Sequence, residues 1–408
     1  MPVGPSSAPS STDNGCNAAD GNVLLYGACW MKVFTTVAAR AHTAAPDDVH
    51  THEARASAPA PAGQTRVHIE AFAAADEWQQ FVRTADDATF FHSAAWKAVL
   101  EEAFGFQTHF LLARRAGAVV GVAPLCELRP LFGKPRLLSL PFAVEAGVSA
   151  VDDDVRRGLE NAAVDRARTL GARYLELRDG GGGEAFHLRG DTYCRFRHRL
   201  SPTDEDNFAR IPRKRRRMIR RAQASGLQVR VGADLDIFYR LYAESQRRLG
   251  SPLLPRMYFA TLLRHFGEDV VVLTVWHAAT PVASVFSFIF RDSILPYYAG
   301  SRRAPAPCGS NDFMYWELMR LACRRGLTTF DFGRSRRGSG AFDYKRHWGF
   351  EPQPLCYRVH ALGHEAPQRR TVDDPRLRLL RWGWQRVPLA VTMRLGPLLA
   401  RHCAPYFT

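Results

Sequence analysis

Residues 330–350 read FDFGRSRRGSGAFDYKRHWGF, and this stretch decides which fold the chain is expected to adopt. A short β run at 328–332 leads into a glycine- and serine-rich turn that carries Arg334. A short helical segment then brings in Lys345, a cation between apolar positions that is costly to bury without a partner. Backbone N–H groups and cations presented together suit a phosphate or a developing oxyanion. The aromatic residues of the stretch are expected to pack in the core.

The net charge of +15 over 408 residues is concentrated in two segments. Residues 210–221 contain eight Lys or Arg and no acid, and residues 376–408 contain six Arg and no acid. Local basic segments indicate anionic partners at two places and argue against a general DNA-binding surface. The 46% content of hydrophobic residues is enough for the cores of two or three domains.

Several common classes of protein are disfavoured by the sequence. The eight cysteines are scattered without a C-x-x-C pair or a nearby histidine at ligand spacing, so we expect neither a metal site nor a disulfide framework. The sequence contains no run of 18 apolar residues, so we expect no membrane-spanning helix. Residues 23–39 do not show the basic start, apolar centre and small-residue cleavage site of a secretion signal in that order. We therefore expect a cytoplasmic protein. Residues 1–64 are expected to be disordered, and both Met1 and Met31 are candidate start residues.

A weak internal repeat predicts the architecture. Residues 94–105 match 256–267 at an offset of 162, and both are amphipathic helical patterns that stop at glycine. The β-hairpin patterns that follow keep this offset, and a later helix-to-strand pattern repeats at an offset of 155. Each half thus has helices, a β-meander, a helix and a strand, which favours an α/β fold with a mixed sheet covered by helices. Periodicity alone leaves other α/β folds open.

Three motifs resemble the FemAB-like branch of the GNAT acyltransferase superfamily, most closely the group associated with exosortase/PEP-CTERM exopolysaccharide systems. They are DFGRS at 331–335, F-x-x-K-x-x-W-G-F at 342–350, and the P-R-K-x-R-x-M-I-R-R run at 212–221. The resemblance implies two tandem GNAT-like α/β domains, at 66–185 and 190–362. The boundary between them is expected near the four consecutive glycines at 180–183.

The basic run is predicted to form a helix over 212–225, because it begins at proline and ends near glycine. At 3.6 residues per turn, Arg213, Arg216, Arg217 and Arg220 share one face. A cationic stripe of this kind is a candidate diphosphate site, and a solvated face without a ligand is the alternative.

Residues 302–311 lie where the resemblance implies an acyl-donor loop. Acetyl-CoA-dependent GNAT enzymes carry an Arg/Gln-x-x-Gly-x-Gly/Ala loop at this place, at the N-terminus of a helix. This chain has two arginines and the pair Ser310 and Asn311 there, but not the glycine spacing. The departure weakens acetyl-CoA as the donor and leaves other acyl donors open, including aminoacyl-tRNA. Ser310 and Asn311 are candidates for ligand contact or for a simple helix N-cap.

The candidate catalytic residues do not include a nucleophile, since no G-x-S-x-G elbow is present. In the GNAT-type transfer that the resemblance implies, the acceptor amine attacks the acyl group directly, without a covalent intermediate. Lys345 is the candidate for charge stabilisation, and Arg334 for phosphate binding. Asp331 is the candidate general base, with the alternative that it holds Arg334 or Lys345 in place. Tyr298 and its neighbour Tyr297 are candidates for an acceptor groove or for core packing.

The C-terminal segment at 370–408 is a basic tail, and within it residues 376–401 alternate Leu, Trp, Val and Met with arginine. This pattern suits a helix that lies on an anionic membrane surface, and a helix docked on the body is the alternative. The protein is therefore expected in the cytoplasm, with a peripheral contact at the inner membrane.

The resemblance and the charge pattern together predict a function. We expect an N-acyltransferase that acts on an amine of a cell-envelope or exopolysaccharide glycan precursor. Its partner would be an anionic glycan or a nucleotide- or lipid-linked diphosphate, and its donor acyl-CoA or aminoacyl-tRNA, with no tightly bound cofactor. The alternatives are an acyl-CoA-dependent N-acetyltransferase of a small amine or sugar, and a non-catalytic scaffold of polysaccharide export.

Overall fold

The computed structural model describes residues 67–130, 133–181, 186–303, 309–363 and 375–407. The disorder expected at 1–64 lies outside the described residues. Within the described ranges, no helix is long and apolar enough to cross a membrane. No group of three or more His, Cys, Asp or Glu in these ranges is arranged to hold a metal ion.

Among its described residues, the first half of the chain contributes three α-helices and eight strands. The helices are α1 (Ala75–Thr84), α2 (Ala95–Phe104) and α3 (Asp153–Thr169). The strands are β1 (His68–Ala71), β2 (Gln107–Thr108), β3 (Leu111–Arg115), β4 (Ala118–Ala123), β5 (Leu125–Leu128), β6 (Arg136–Ser139), β7 (Ser149–Ala150) and β8 (Tyr174–Leu177).

The second half contributes eight helices and seven strands among the described residues. The strands are β9 (His187–Arg199), β10 (Leu227–Val231), β11 (Val270–His277), β12 (Thr280–Phe290), β13 (Ser293–Ser301), β14 (Thr329–Arg336) and β15 (Pro352–Ala361). The helices are α4 (Asp204–Arg210), α5 (Arg213–Ala224), α6 (Leu235–Leu249), α7 (Arg256–Phe266), α8 (Ser310–Arg324), α9 (Gly340–Arg346), α10 (Pro375–Arg386) and α11 (Leu389–Phe407).

The mixed sheet predicted from the sequence is present, and the two halves share it. Eleven strands follow the order β10-β11-β12-β13-β14-β9-β15-β8-β6-β5-β2, while β1, β3, β4 and β7 form a smaller sheet. The last strand, β15, pairs with β8 on one side and with β9 on the other. The division at 66–185 and 190–362 stays a prediction, but any such division leaves both units joined through one sheet.

The internal repeat forms the elements that the sequence predicted. Helices α2 and α7 both end at a glycine C-cap, at Gly105 and Gly267, and they pack against each other. The hairpins β3–β4 and β11–β12 turn at Ala116 and Ala278, which share a backbone φ of 51°. Helix α3 and strand β8 correspond to α8 and β14 at the offset of 155.

One proline distinguishes the two halves. Strands β4 and β5 together correspond to the single strand β12, but Pro124 separates them and sends β4 and β5 into different sheets. A proline lacks the N–H that a ladder needs, so it interrupts pairing. At the equivalent position, 162 residues later, Phe286 precedes a register shift between β12 and β13. The second half thus has one continuous strand, β12, with a bulge in its pairing to β13 at this position.

The C-terminal helices dock on the body, as one of the two sequence interpretations predicted. Helices α10 and α11 pack against α6. The indole of Trp384 is buried and donates to the carbonyl oxygen of Ser251 at 3.0 Å. Nη1 of Arg247 donates to the carbonyl oxygen of Gln385, and the side-chain amide of Gln385 donates to the carbonyl oxygen of Arg248. These contacts make the inner side of the tail part of the fold.

Candidate functional site

A cleft opens where two neighbouring parallel strands separate. Strands β13 and β14 pair only at Ser293–Thr329 and Ile294–Phe330. Beyond these pairs the strands diverge, and the gap has a volume of about 20 Å³, which is room for about one water molecule. Its lining comprises Val144, Pro296, Tyr297, Phe332, Gly333, Arg334, Ser335, Arg336, Ala341 and Lys345.

Two local irregularities shape the cleft. In β13, the pairing with β12 shifts so that Tyr297 is an extra residue between Pro296 and Tyr298. In β14, the register with β9 shifts between Asp331 and Arg334, where Gly333 adopts a φ of 65°. Glycine adopts this left-handed conformation without steric cost. The two bulges turn backbone and side-chain groups towards the gap between the strands.

Lys345 lies at the floor of this cleft. Helix α9 begins after Ser339, whose hydroxyl accepts from the backbone N–H of Phe342 at 3.2 Å. Near the end of α9, the Lys345 side chain is 2% exposed, and its Nζ donates to the carbonyl oxygens of Phe332 at 2.6 Å and Arg334 at 3.1 Å. Burial lowers the pKa of Lys345 to about 7, an effect that Asp331 opposes and Arg334 reinforces.

Arg334 is the second buried cation of the cleft. Its side chain is 4% exposed, and Nη1 donates to the hydroxyl of Tyr357 at 2.7 Å. The guanidinium also lies 4.7 Å from the centroid of the Tyr193 ring. Among the described residues, no carboxylate forms an ion pair with it, and its Nε has no hydrogen-bond partner. The buried hydroxyl of Ser335 has none either. Buried polar atoms are normally paired, so these unpaired groups favour an anionic ligand.

Asp331 has a different partner from the one that the sequence suggested. The carboxylate is 1% exposed, and Oδ2 accepts from Nε of Arg195 at 2.8 Å, while Oδ1 accepts from the N–H of Gly333 at 2.8 Å. Arg195 also binds Glu145 of the first half. Oδ2 is therefore engaged by Arg195 and Oδ1 by the backbone of Gly333, and neither oxygen accepts a hydrogen bond from Arg334 or Lys345. A role of Asp331 as general base stays a prediction and requires one of these hydrogen bonds to open.

The helix that follows the expected donor loop begins without a side-chain cap. Gly309, with a φ of 91°, is the N-cap of α8, so neither Ser310 nor Asn311 is a capping residue, and that alternative is wrong. A Cβ atom at Gly309 would lie 2.7 Å from the carbonyl oxygen of Met218, so α8 begins directly beside α5. Ser310 is buried and Asn311 is half-buried, and neither lines the cleft. Residues 304–308 of the loop lie outside the described residues.

The basic helix forms as predicted, since α5 starts immediately after Pro212. Of its predicted binding residues, Arg213, Arg217 and Arg220 are exposed, and Arg216 is half-buried. None of the four lines the cleft. They form a separate cationic surface beside the N-terminus of α8, and their binding of phosphate stays a prediction.

Arg215 of α5 has a structural role that the sequence did not reveal. It forms an ion pair with the buried carboxylate of Asp312 at 3.1 Å and lies 4.6 Å from the centroid of the Tyr344 ring. The hydroxyl of Tyr344 donates to Asp312 at 2.9 Å. Burial raises the pKa of Asp312, and Arg215 opposes that shift. These contacts attach α5 to α8 and α9.

Tyr298 packs in the core and does not line the cleft. It is 4% exposed, and its hydroxyl lies 2.9 Å from that of Tyr258 within a large aromatic cluster. Its neighbour Tyr297 lines the cleft instead and donates to the carbonyl oxygen of Phe142. The bulge at Tyr297 reverses the alternation of side chains, and the sequence pattern does not show the bulge.

In the described part of the first half, an arginine fills the place that corresponds to the cleft. Strands β6 and β8 form the parallel pair that corresponds to β13 and β14. At the offset of 155, Arg178 occupies the position of Gly333. Its fully buried guanidinium donates to the carbonyl oxygens of Leu140 at 3.0 Å and Ala143 at 2.8 Å. The Arg178 side chain therefore bridges the segments that diverge after these strands. In the second half, Gly333 has no side chain to fill the gap between β13 and β14.

Comparison with known proteins identifies the class of this fold. Residues 210–346 match the model of the acetyltransferase (GNAT) domain, and this range contains β13, α8, β14 and all of α9. The chain therefore contains a GNAT-type acyltransferase domain, and it is an enzyme of the acyltransferase class. None of the curated proteins searched matches the sequence.

Solved structures share the fold well beyond that domain. The crystal structure of FemX is 14% identical, with a TM-score of 0.60, and the match covers 72% of this chain and 97% of FemX. The C-terminal domain of a putative lysylphosphatidylglycerol synthetase from Agrobacterium fabrum is 12% identical, with a TM-score of 0.50. That match covers 70% of this chain and 91% of the domain. At these identities the likeness shows a common Fem-like GNAT fold.

Proposed function

We propose that this protein transfers an acyl or aminoacyl group to an amine of a glycan precursor that carries a diphosphate. The observation that supports this most is the cleft between β13 and β14, where Arg334 and Lys345 are buried without an ion-pair partner among the described residues. A desolvated cation pair of this kind interacts strongly with negative charge, because the surroundings screen it little.

The proposed reaction is a direct acyl transfer. The amine nitrogen attacks the carbonyl carbon of a thioester or ester, a C–N bond forms, and the C–S or C–O bond to the donor breaks. The nitrogen loses a proton, and the leaving thiolate or alkoxide takes one up. Lys345 supplies positive charge from its place beneath the carbonyls of β14, and Arg334 offers its unpaired Nε to the oxyanion or to a phosphate.

The donor is acyl-CoA or aminoacyl-tRNA, used as a co-substrate. The matched domain is described as an acetyltransferase, which favours acyl-CoA. The absence of the glycine spacing at 302–311 favours aminoacyl-tRNA. One fold relative is described as a putative lysylphosphatidylglycerol synthetase, a name that denotes an aminoacylated phospholipid as the product. Both donors therefore belong in the first assay.

The acceptor is proposed to carry the diphosphate towards α5. Arg213, Arg217 and Arg220 are exposed on this helix, and no acidic residue lies on it to neutralise them. Together with Arg216 they form a surface that suits phosphate oxygens. We propose, from the sequence resemblance, that such an acceptor belongs to cell-envelope or exopolysaccharide synthesis of the PEP-CTERM type. A lipid-linked precursor would put the enzyme at the inner membrane as a peripheral protein.

A labelled-donor assay tests this function. The full chain is incubated with labelled acetyl-CoA or labelled aminoacyl-tRNA and with a nucleotide-diphosphate amino sugar such as UDP-glucosamine. With the wild-type protein and one of the two donors, label is expected in an amide of the sugar. The Arg334→Gln variant is expected to incorporate no label. Mass spectrometry of glycan precursors from cells with and without the protein identifies the natural acceptor. Absence of N-acylated precursors in both experiments would contradict the proposal.

A further inference from the structure

The tail helices have a second surface that the fold leaves exposed. On α11, Val391, Leu395 and Leu398 are 40%, 43% and 65% exposed, and their spacing of four and three residues puts them on one face. Thr392 and Ala400 lie on the opposite face and are fully buried. The helix is thus held by one side and presents apolar side chains on the other.

Helix α10 has the same division between a docked and an exposed side. Trp384 is buried against α6, whereas Leu379 and Trp382 are 68% and 55% exposed. A soluble surface normally carries such residues singly, so five of them on two consecutive helices that both dock on α6 indicate an interaction surface. We name the exposed residues of α10 and α11 the outer face, which consists of Leu379, Trp382, Val391, Leu395 and Leu398.

The charged side chains of the segment that carries the outer face are all basic. Residues 375–408 contain six arginines and no acidic residue. The guanidinium of Arg386 lies 3.7 Å from the centroid of the Trp382 ring, and Arg394 is exposed on α11. Apolar side chains beside arginines match the boundary between anionic headgroups and acyl chains. Trp382 suits the same boundary of the bilayer, because its indole ring is largely apolar and carries one polar N–H group.

We propose that the outer face binds an anionic lipid bilayer and attaches the folded enzyme to it. The apolar side chains enter the acyl-chain boundary, and Arg386 and Arg394 contact lipid phosphates. The tail does not leave the body to do so, because its other side is part of the core. This inference rests on the proposed function only in one respect, the location of the enzyme at the inner membrane. Vesicle binding requires neither donor nor acceptor, so the two proposals can fail separately.

Vesicle sedimentation of the full-length protein tests the outer face. Wild type is expected to sediment with vesicles of equal parts phosphatidylglycerol and phosphatidylcholine. The triple variant Trp382→Ser, Leu395→Ser, Leu398→Ser is expected to bind at least about tenfold more weakly, since it removes the inserted apolar area. Its thermal unfolding should match that of wild type, because all three side chains are exposed. Truncation of the tail is unsuitable, since it would also remove the buried Trp384.

A matched control changes apolar residues that are equally exposed elsewhere. Met257 and Leu188 are 57% and 64% exposed on the body, and Met257→Ser with Leu188→Ser should leave vesicle binding unchanged. Arg386→Gln with Arg394→Gln should weaken binding to the anionic vesicles and not to pure phosphatidylcholine. Wild-type binding by the triple variant would overturn the proposal. Light scattering that shows a dimer lost in the triple variant, without vesicle binding, would assign the face to a second copy instead.

Discussion

Arg334 and Tyr357 are joined by a 2.7 Å hydrogen bond from Nη1 to the phenolic oxygen, deep in the protein. The same hydroxyl donates to the carbonyl oxygen of Val144 at 2.8 Å. One phenol on β15 therefore connects the cation of the cleft, which belongs to the second half, with a loop of the first half. The position of Arg334 thus depends on both halves of the chain.

Tyr357→Phe should test this connection. The variant leaves a donor of Arg334 and the carbonyl of Val144 without their partner, and we expect a loss of about 1–3 kcal/mol in the free energy of unfolding. Transfer activity should fall as well, because the guanidinium loses its neutral anchor. Urea unfolding and initial rates measure the two effects. An active variant of unchanged stability would show that the hydroxyl is dispensable.

Lys345→Met is expected to reduce turnover by about two to three orders of magnitude, the loss typical of a removed oxyanion contact. The substitution keeps most of the volume of the side chain and removes the charge, so the protein should remain folded. Circular dichroism and thermal unfolding check the fold, and single-turnover kinetics measure the rate. Unchanged turnover in a folded variant would end the catalytic assignment.

Activity should also depend on pH through Lys345. Its pKa is lowered to about 7, so the cation is lost as the pH rises above that value. If the charge is required, kcat/KM should fall up to tenfold per unit above pH 7. The residual activity of the Lys345→Met variant should not show this fall above pH 7. A flat profile between pH 7 and 9 in wild type would contradict the role of the charge.

The same pKa predicts how stability changes with pH. Between about 7 and the ordinary value of 10.5, the unfolded chain binds a proton that the folded chain lacks. Stability from this group therefore rises with pH in that window, by at most about 1.4 kcal/mol per unit. The difference in unfolding free energy between wild type and Lys345→Met should increase from pH 7 to 10. A constant difference would place the folded pKa outside this window.

The four candidate phosphate-binding arginines of α5 should affect ligand binding when they are substituted, whereas Arg215 should affect stability. Replacing Arg213, Arg216, Arg217 and Arg220 by Gln should leave the fold intact and weaken binding of a diphosphate acceptor by up to about 1 kcal/mol for each residue. The salt dependence of binding should flatten, because screening acts over about 8–10 Å at ordinary ionic strength. If the variant binds with the affinity and salt dependence of wild type, the four arginines form a solvated surface without a ligand.

Arg215→Gln provides the contrast on the same helix. It removes the partner of the buried Asp312, and leaving such a charge unpaired costs about 3–5 kcal/mol. We expect a lower unfolding midpoint in this variant, whatever its effect on binding. Stability equal to that of wild type would mean that Asp312 finds another partner, such as the Tyr344 hydroxyl alone.

Two tryptophans of α10 form a matched pair for the docked tail. Trp384→Ala empties a buried position and should cost about 3–5 kcal/mol of unfolding free energy. Trp382→Ala changes an exposed side chain and should stay within about 0.5 kcal/mol of wild type. Chemical denaturation measures both. Equal effects of the two substitutions would contradict the docking of α10 on α6.

Much of the fold could be predicted from the sequence because it depends on local signals. The glycine stops after α2 and α7, the proline before α5 and the repeat offsets of 162 and 155 all act through neighbouring residues. The motif around Lys345 and Arg334 likewise identified the two cations of the cleft. These features depend on chain geometry and residue type, which a single sequence displays directly.

The partners of the site were decided only by the tertiary structure. The pairing of Asp331 with Arg195, the position of Tyr297 rather than Tyr298 in the cleft and the bridging position of Arg178 depend on bulges and on strands that are distant in sequence. A one-residue shift in register reverses every side chain on a strand, and no local pattern records it. The sequence therefore determined which residues were available, and the packing of two halves in one sheet determined which of them meet.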